Sequence, residues 1–299
     1  MKNILVTGAS GFVGRNLVEQ FSGLPRYAGG YSIAAPSHRE LDLADSECVA
    51  AYLKARRFDA VIHCAIKPGH RNAPDLTGLY YQNTRMFLNL LRGLDSCGKI
   101  IWLGSGLVYD LRHYRPLMDE SYFGVHVPAD EAGFGKYACA RLTELSNNVI
   151  ELRPFGVYGK YEDYAIRFIS NAICKTLSGL PVTIRQNRKF DYISVDDLVS
   201  VIHHFINNDA RHPAYNVASG RPVELAEIAK TVVELGGGNN GVRIAEPGLG
   251  VEYSGGNVRL LAELPGFEFK PLRAGIEQLF EYYRGNRYLI DPALLADDR

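Results

Sequence analysis

Glycines at fixed spacing near the start of the chain form a pattern suited to holding a diphosphate. Residues 7–14, Thr-Gly-Ala-Ser-Gly-Phe-Val-Gly, lie between a predicted strand and a predicted helix. Gly8 permits the tight turn, Gly11 lets backbone amides approach the anion, and Gly14 lets helix and strand pack closely. The helix N-terminus adds free N–H groups and a partial positive charge. We predict a dinucleotide site that includes Ser10, Phe12 and Val13, with a purely structural glycine turn as the alternative.

The residues after the second predicted strand bear on which dinucleotide binds. NAD is typically held there by a carboxylate on its ribose 2′-hydroxyl. The strand end has no carboxylate and instead carries a hydroxyl, an imidazole and a guanidinium: Ser37, His38 and Arg39. With Arg15 nearby they favour the 2′-phosphate of NADP over NAD, although both arginines are also consistent with a solvated surface. Asp42 and Leu43 are expected beside the adenine, with a turn-stabilising role for Asp42 equally consistent.

Strand and helix patterns alternate through the first half of the chain. Short apolar runs predict buried strands at residues 3–7, 31–35, 60–64, 99–103 and 149–152. Helical spacing of apolar residues predicts helices at residues 13–21, 48–55, 79–94 and 134–147. Strands that are apolar throughout indicate a parallel, doubly wound α/β sheet of the Rossmann type.

The second half is less regular and predicts a smaller substrate-binding cap interwoven with the sheet. Helices are expected at residues 164–177, 196–207, 225–235 and 274–283, and short strands at 182–185, 190–194 and 215–217. The predicted Rossmann domain comprises residues 1–155 with a sheet segment at about 186–212. The cap comprises 156–185 and 213–299, of which 296–299 are expected to be a solvated tail.

Composition excludes several classes of protein. The 299 residues carry 33 basic and 33 acidic side chains, which argues against a nucleic-acid binder. Hydrophobic residues make up 46% of the chain, enough for a sizeable core, yet no run approaches the roughly 18 apolar residues of a membrane-spanning helix. The five scattered cysteines form neither a zinc pattern nor a disulfide framework. We therefore expect a cytoplasmic protein with no metal site and no membrane or nucleic-acid partner.

Several segments, in order along the chain, together resemble the extended short-chain dehydrogenases, the NAD-dependent epimerase/dehydratase family. They are residues 7–14, 59–65 (DAVIHCA), 83 with 89–91 (N and NLL), 105–109 (SGLVY), 153–159 (RPFGVYG), 188–197 (RKFDYISVDD) and 215–222 (YNVASGRP). The resemblance implies a substrate sugar carried by a nucleoside diphosphate and chemistry at its C4. It also implies a homodimer formed through the helices that begin here near residues 79 and 134.

The resemblance assigns roles to particular residues. A serine, here Ser105, orients the sugar oxygen, a tyrosine phenolate moves the proton, and a lysine four residues later lowers the tyrosine pKa and holds the nicotinamide ribose. That spacing places tyrosine and lysine on one helix face. The implied cofactor contacts extend to Cys64, Ala65, Ile66, Asn83, Lys136 and Pro154. The expected substrate contacts are Ser105, Gly106, Leu107, Phe155, Arg185, Arg188 and Tyr192.

The alternatives for these substrate contacts are a plain surface cluster for the two arginines and core packing for Phe155 and Tyr192. If Arg185 and Arg188 do bind, their guanidinium groups suit a diphosphate.

The tyrosine of this pattern is missing. With Lys136 aligned to the family lysine, Ala132 stands where the tyrosine belongs, and Pro128 and Gly133 also fit. The other frame keeps a tyrosine, Tyr137, but replaces the lysine by arginine and moves the tyrosine about 7 Å along the helix. The first frame is favoured, and it leaves three interpretations: a substitution that inactivates an otherwise intact enzyme, which we favour, a base supplied from elsewhere, or a binding protein.

Departures from the family pattern narrow the reaction. Gly106 and Leu107 stand where dehydratases of this family carry an acidic pair. The chain is most similar to the GDP-fucose synthase branch, but Leu107 and Lys160-Tyr161 lie where its epimerising cysteine and histidine are expected. We therefore expect NADPH-dependent reduction of a 4-keto nucleotide sugar. A 4-epimerase with bound NAD and a non-catalytic NADP sensor or scaffold are the alternatives.

Overall fold

The computed structural model describes residues 1–27, 29–69 and 75–295, so the predicted tail at 296–299 lies outside the described residues. The strands are β1 (Lys2–Thr7), β2 (Tyr31–Ala34), β3 (Ala60–His63), β4 (Ile100–Leu103), β5 (Val149–Pro154), β6 (Gly156–Tyr158), β7 (Val182–Asn187), β8 (Lys189–Phe190), β9 (Tyr192–Ser194), β10 (Ala214–Val217), β11 (Val223–Glu224) and β12 (Val242–Leu249). The α-helices are α1 (Phe12–Gly23), α2 (Ser46–Ala55), α3 (Leu79–Arg92), α4 (Glu131–Glu144), α5 (Phe168–Leu177), α6 (Val195–Asn207), α7 (Leu225–Leu235), α8 (Val258–Glu263) and α9 (Leu272–Gly285).

A six-stranded parallel sheet forms the centre of the molecule, in the order β10-β5-β4-β3-β1-β2. Its strands are buried on both faces because separate apolar clusters cover the two sides. The order of strands reverses at β1, and in such sheets ligands bind beyond the carboxyl ends of the strands at this point. The predicted doubly wound α/β fold is confirmed.

The edge of the sheet differs from the predicted division of the chain. Residues 186–212 contribute no strand to the central sheet among the described residues, whereas β10, which was assigned to the cap, pairs with β5. All four residues of β10 are buried, and this short strand belongs to the central sheet and not to the cap. The predicted strand at 190–194 is also divided, into β8 and β9. Between them the Asp191 carboxylate accepts hydrogen bonds from the backbone of Ser219 and Gly220.

Two helix starts and one strand also differ from prediction. Helix α4 begins at Glu131, three residues early, because the Asp130 side chain accepts a hydrogen bond from Gly133 N at 2.7 Å. Helix α5 begins only at Phe168. Strand β12 was not predicted, since its Pro-Gly pair resembles a loop, yet it pairs in parallel with β7.

The cap has its own apolar core, into which the carboxyl group of Glu162 is buried. Ile173, Val232 and Phe280 belong to this core, which helices α5, α7 and α9 build against β7. The Ser170 hydroxyl donates to Glu162 Oε1. Burial raises the pKa of Glu162 to about 8. The hydrogen bond from Ser170 and the positive charge of Arg167 lower the pKa, but they offset the effect of burial only in part.

Glu162→Gln is expected to flatten the pH dependence of folding stability. The folded state keeps the Glu162 proton up to about pH 8, whereas the ordinary pKa is 4.5. In this window the unfolded state binds fewer protons, so wild-type stability falls as pH rises. Thermal unfolding at pH 5 and pH 8 should therefore show a larger loss of Tm for wild type than for Glu162→Gln. Glu281→Gln, at an exposed position on α9, is the control and should follow wild type; equal pH slopes for all three proteins would contradict the assignment.

The described residues contain no helix long and apolar enough to cross a membrane. They also hold no group of three or more His, Cys, Asp or Glu side chains arranged for a metal ion. All five cysteines are free thiols, and Cys139 and Cys174 are buried.

Candidate active site

The glycine loop follows β1 and packs tightly against Cys64 and Ala65, which follow the neighbouring strand β3. Gly8 has a φ of 69°, and a Cβ there would lie 2.6 Å from Ala65 N. A Cβ on Gly14 would lie 2.2 Å from Gly8 O. These positions accept only glycine, and together they leave the N-terminus of α1 open beside the loop. This cradle fits the diphosphate of a dinucleotide.

A groove of about 910 Å³ runs from this loop across the ends of β1, β2 and β3. The predicted cofactor residues that line it are Gly8, Ser10, Ser37, His38, Asp42, Leu43, Ala65 and Ile66. The other nine residues predicted to bind the cofactor are described by the structure but do not line the groove. They are Gly11, Phe12, Val13, Gly14, Arg39, Cys64, Asn83, Lys136 and Pro154. Asp42 also accepts a hydrogen bond from Ala44 N at 2.9 Å, so it stabilises the turn as well as facing the groove.

A carboxylate does lie at the end of β2, contrary to the prediction. Glu40 Oε2 accepts hydrogen bonds from the Ser37 backbone N–H and hydroxyl, each at 2.8 Å. The hydrogen bond from the Ser37 backbone, followed by that from its hydroxyl, lowers the pKa of Glu40. The prediction missed this group because Glu40 follows the strand by several residues and returns to it only through a turn.

Arg15 faces the same groove from the first turn of α1. Its guanidinium lies over the ring of Tyr161, 3.8 Å from the centroid, and both residues line the groove. Tyr161 follows Lys160, which pairs with Glu19. Tyr161 therefore lines the groove in the segment where the related branch was expected to carry a histidine.

Asn83 holds the segment that follows β3, which includes Lys67 and lines the groove. Its amide accepts from Lys67 N at 2.7 Å and donates to Lys67 O at 3.2 Å. These two hydrogen bonds fix the chain just beyond β3, so Asn83 positions the backbone of Lys67 and, next to it, Ile66.

A second cavity, of about 300 Å³, continues from the groove towards α4. Ala65, Ile66 and Lys67 line both spaces. The predicted residues in the second cavity are Ala65, Ile66, Asn83, Leu107, Ala132 and Lys136, joined by Trp102, His63, Glu131 and Arg167. The structure thus brings Ala132 and Lys136, one helical turn apart, to a common wall.

Lys136 is held at the carboxyl end of β4. Its Nζ donates to Leu103 O at 2.7 Å and lies 5.2 Å from the Trp102 ring centroid. Desolvation by burial lowers the pKa of Lys136, with Cys139 and Glu151 acting in the opposite direction. His63, on the same wall, has its pKa lowered to about 3, chiefly by burial and also by Lys136, so it is neutral.

Ser105 begins the turn that follows β4. Its Oγ accepts a hydrogen bond from Leu107 N at 3.2 Å, which caps the 3₁₀ turn Gly106–Val108. This turn packs on the first turn of α4, since a Cβ on Gly133 would lie 2.9 Å from Leu107 O. Ser105 is therefore fixed beside the helix that carries Ala132 and Lys136.

Aromatic side chains crowd the other side of the Ser105 turn. A Cβ on Gly106 would lie 2.7 Å from Tyr253 Oη and 2.8 Å from Tyr114 Oη. Tyr114 Oη donates to Gly106 O at 2.6 Å. Phe155 packs at an angle against these rings, with its centroid 5.1 Å from that of Tyr253 and 6.3 Å from that of Tyr114. It contributes to this packing and lines neither cavity.

Six further predicted site residues among the described residues line neither cavity: Ser105, Gly106, Tyr137, Arg185, Arg188 and Tyr192. Ser105 and Gly106 lie in the turn that packs on the first turn of α4. Tyr137 packs against Phe123, so the tyrosine of the alternative frame does not reach the wall formed by Lys136. Arg185 Nε donates to Glu246 Oε1 at 2.8 Å on the edge of the cap. Arg188 lies beside Gly250, and Tyr192 stacks on Phe190.

Arg167 and Lys67 line the second cavity and Tyr253 lies against Gly106, and none of the three was predicted from the sequence. Arg167 is the N-cap residue of α5 and reaches the second cavity from the cap. No local pattern marks it, because its position depends on how the cap folds onto the sheet.

Comparisons with known proteins agree with this architecture. The family model described as the NAD dependent epimerase/dehydratase family matches residues 4–218. GDP-L-colitose synthase of Yersinia pseudotuberculosis is 25% identical over 255 residues, covering 78% of this chain and 81% of that protein. The dTDP-4-dehydro-6-deoxy-D-allose reductase of a Streptomyces species is 27% identical over 331 aligned positions, covering 95% and 96%. The structure of a GDP-mannoheptose C4 reductase from Campylobacter jejuni with NADP bound shares the fold, with a TM-score of 0.79, 22% identity and coverage of 95% and 98%.

Proposed function

The chain belongs to the NAD-dependent epimerase/dehydratase family of nucleotide-sugar enzymes, and from that premise we propose that it reduces a 4-keto nucleotide sugar with NADPH. One observation carries the proposal. The glycine-loop groove and the cavity at Lys136 share Ala65, Ile66 and Lys67, so they form one path along the carboxyl ends of the strands. A dinucleotide with its diphosphate on the loop would extend its nicotinamide towards Lys136, on the helix against which the Ser105 turn packs.

The residues at the reacting end suit a ketone reduction. The Ser105 hydroxyl can hold the sugar C4 oxygen, and the Lys136 ammonium can hold the nicotinamide ribose while adding positive charge near the developing alkoxide. The bound dihydronicotinamide supplies the hydride. The names of two similar proteins, a 4-dehydro-6-deoxy sugar reductase and a C4 reductase, support this choice of reaction.

The preference for NADP(H) rests on Arg15. It lines the groove together with Ser37 and His38, where a 2′-phosphate would lie. We expect Arg15→Ala to weaken NADPH binding about tenfold or more, since a charge-assisted hydrogen bond contributes about 1.5–3 kcal/mol, and to change NADH binding far less. Calorimetric titration of both cofactors measures this, with Arg243→Ala on β12 as the control. Tighter binding of NADH than NADPH by wild type would contradict the preference.

Glu40 supports a second candidate, a 4-epimerase with bound NAD. Its carboxylate at the end of β2 could hold a ribose 2′-hydroxyl in place of Ser37. Glu40→Gln discriminates between the candidates in the same titration. It should strengthen NADPH binding if the site takes a 2′-phosphate, and weaken NADH binding if the carboxylate holds the hydroxyl.

Thermal-shift measurements with CDP-, GDP-, UDP- and dTDP-sugars test the substrate class. We expect at least one nucleotide sugar to raise the Tm in the presence of NADPH. Stabilisation by NADPH but by none of the sugars would instead indicate a non-catalytic sensor or scaffold.

A further inference from the structure

We propose that Tyr253 supplies, through Ser105, the hydroxyl proton that the chain lacks at Ala132. The inference rests on the proposed ketone reduction and concerns the source of the proton given to the sugar C4 oxygen. On this proposal the proton donor comes from elsewhere in the fold, and the alanine at position 132 does not inactivate the enzyme.

Tyr253 is held beside Ser105 by its own backbone. Its N–H donates to Lys189 O at 3.0 Å, and its carbonyl accepts from Asp191 N at 3.0 Å. The segment after β12 is thus fastened to the chain on both sides of Phe190, in the cap. Its position is therefore set by the fold rather than by a free loop.

The ring of Tyr253 has little freedom to turn away. It stacks on Tyr114 at 5.1 Å between centroids, and it contacts Phe155 at 5.1 Å and Phe190 at 4.9 Å. This packing directs the hydroxyl to the Ser105–Gly106 turn, where a Cβ on Gly106 would lie 2.7 Å from Tyr253 Oη and 2.8 Å from Tyr114 Oη.

The electrostatic surroundings keep the proton on Tyr253 until it is needed. Burial raises the pKa of Tyr253 to about 12, although the hydroxyls of Ser105 and Tyr114 and the Arg167 charge act against this. Burial raises the pKa of Tyr114 as well. Both phenols are therefore neutral donors at neutral pH, which is the state that a reduction requires of its acid.

As the carbonyl carbon gains the hydride, the C=O π pair moves to the C4 oxygen, which takes the Ser105 Oγ proton. Ser105 Oγ takes the Tyr253 proton in the same chain, and the resulting phenolate is reprotonated from water. The net change is one ketone reduced to an alcohol, one NADPH oxidised to NADP⁺ and one proton consumed.

Tyr253→Phe tests the proposal because it removes only the hydroxyl and keeps the stacked ring. Turnover is followed by NADPH oxidation with GDP- and dTDP-linked 4-dehydro-6-deoxyhexoses. We expect kcat to fall by about 10²- to 10⁴-fold with the NADPH Kd unchanged. Tyr288→Phe, at a position that is 82% exposed, is the matched control and should behave as wild type.

Rescue distinguishes proton supply from a structural role. Ala132→Tyr in the Tyr253→Phe background restores the family hydroxyl one helical turn from Lys136, and it should recover turnover. Tyrosine labelled with carbon-13 at Cζ gives a readout independent of activity. The resonance that is missing in Tyr253→Phe should shift in Ser105→Ala, because Tyr253 Oη lies at the Ser105–Gly106 turn.

The outcomes are separable. If wild type turns over and Tyr253→Phe stays within about threefold of it, the relay is wrong while the proposed function stands. If Ala132→Tyr alone raises kcat 100-fold or more and Tyr253→Phe changes nothing, the chain lacks a proton donor and the relay is likewise overturned. If wild type oxidises NADPH with none of these sugars, both proposals fail together.

Discussion

Ser105→Ala is expected to lower kcat for the proposed reduction by about 10²- to 10⁴-fold, because the sugar oxygen loses both its orienting contact and its route to a proton. The residue begins the turn after β4, and its Oγ caps Leu107 N. Loss of that cap costs about 1 kcal/mol of folding stability, which leaves the protein folded. Steady-state kinetics with the 4-keto nucleotide sugars measures the effect.

Ser32→Ala provides the matched control for this variant. Ser32 is an exposed residue of β2, distant in sequence from the Ser105 turn, and its replacement should leave kcat unchanged. Retention of wild-type kcat by Ser105→Ala would show that the reaction does not take place at this turn.

Gly14→Ala is expected to weaken cofactor binding and to destabilise the fold. The added Cβ would lie 2.2 Å from Gly8 O and 2.8 Å from Ala9 Cα, both backbone atoms that cannot rotate away. Helix α1 must then move off the loop, which misaligns the N–H groups that face the diphosphate. We expect a loss of about 1–3 kcal/mol in the free energy of unfolding, and NADPH binding weaker by at least about tenfold.

Gly23→Ala in the same helix is the control for Gly14→Ala. A Cβ on Gly23 meets nothing within 4 Å, so alanine should keep NADPH affinity and raise the Tm slightly. Equal NADPH affinity in Gly14→Ala and wild type would contradict the location of the diphosphate.

The sequence predicted those features whose signals are local. The glycine loop, the strand before it and the helix after it lie within a few residues, so spacing alone indicates how backbone and anion meet. The spacing of Ala132 from Lys136 likewise places them on one helix face, and the structure brings both to one cavity.

Features that depend on distant segments could not be predicted in this way. Tyr253 reaches Ser105 only because the chain after β12 pairs with Lys189 and Asp191. Glu40 meets Ser37 through a turn, and β10 joins the central sheet by pairing with β5. In each case tertiary contacts, rather than local propensity, determine the position.

The most direct test of the proposed function follows a deuterium label from cofactor to sugar. NADPH deuterated at nicotinamide C4 is incubated with the protein and each 4-keto nucleotide sugar, and the products are examined by NMR and mass spectrometry. The account predicts deuterium at sugar C4, in an alcohol formed one-for-one with NADP⁺. Sugars that are recovered unreduced, with all the label still in the cofactor, would contradict it.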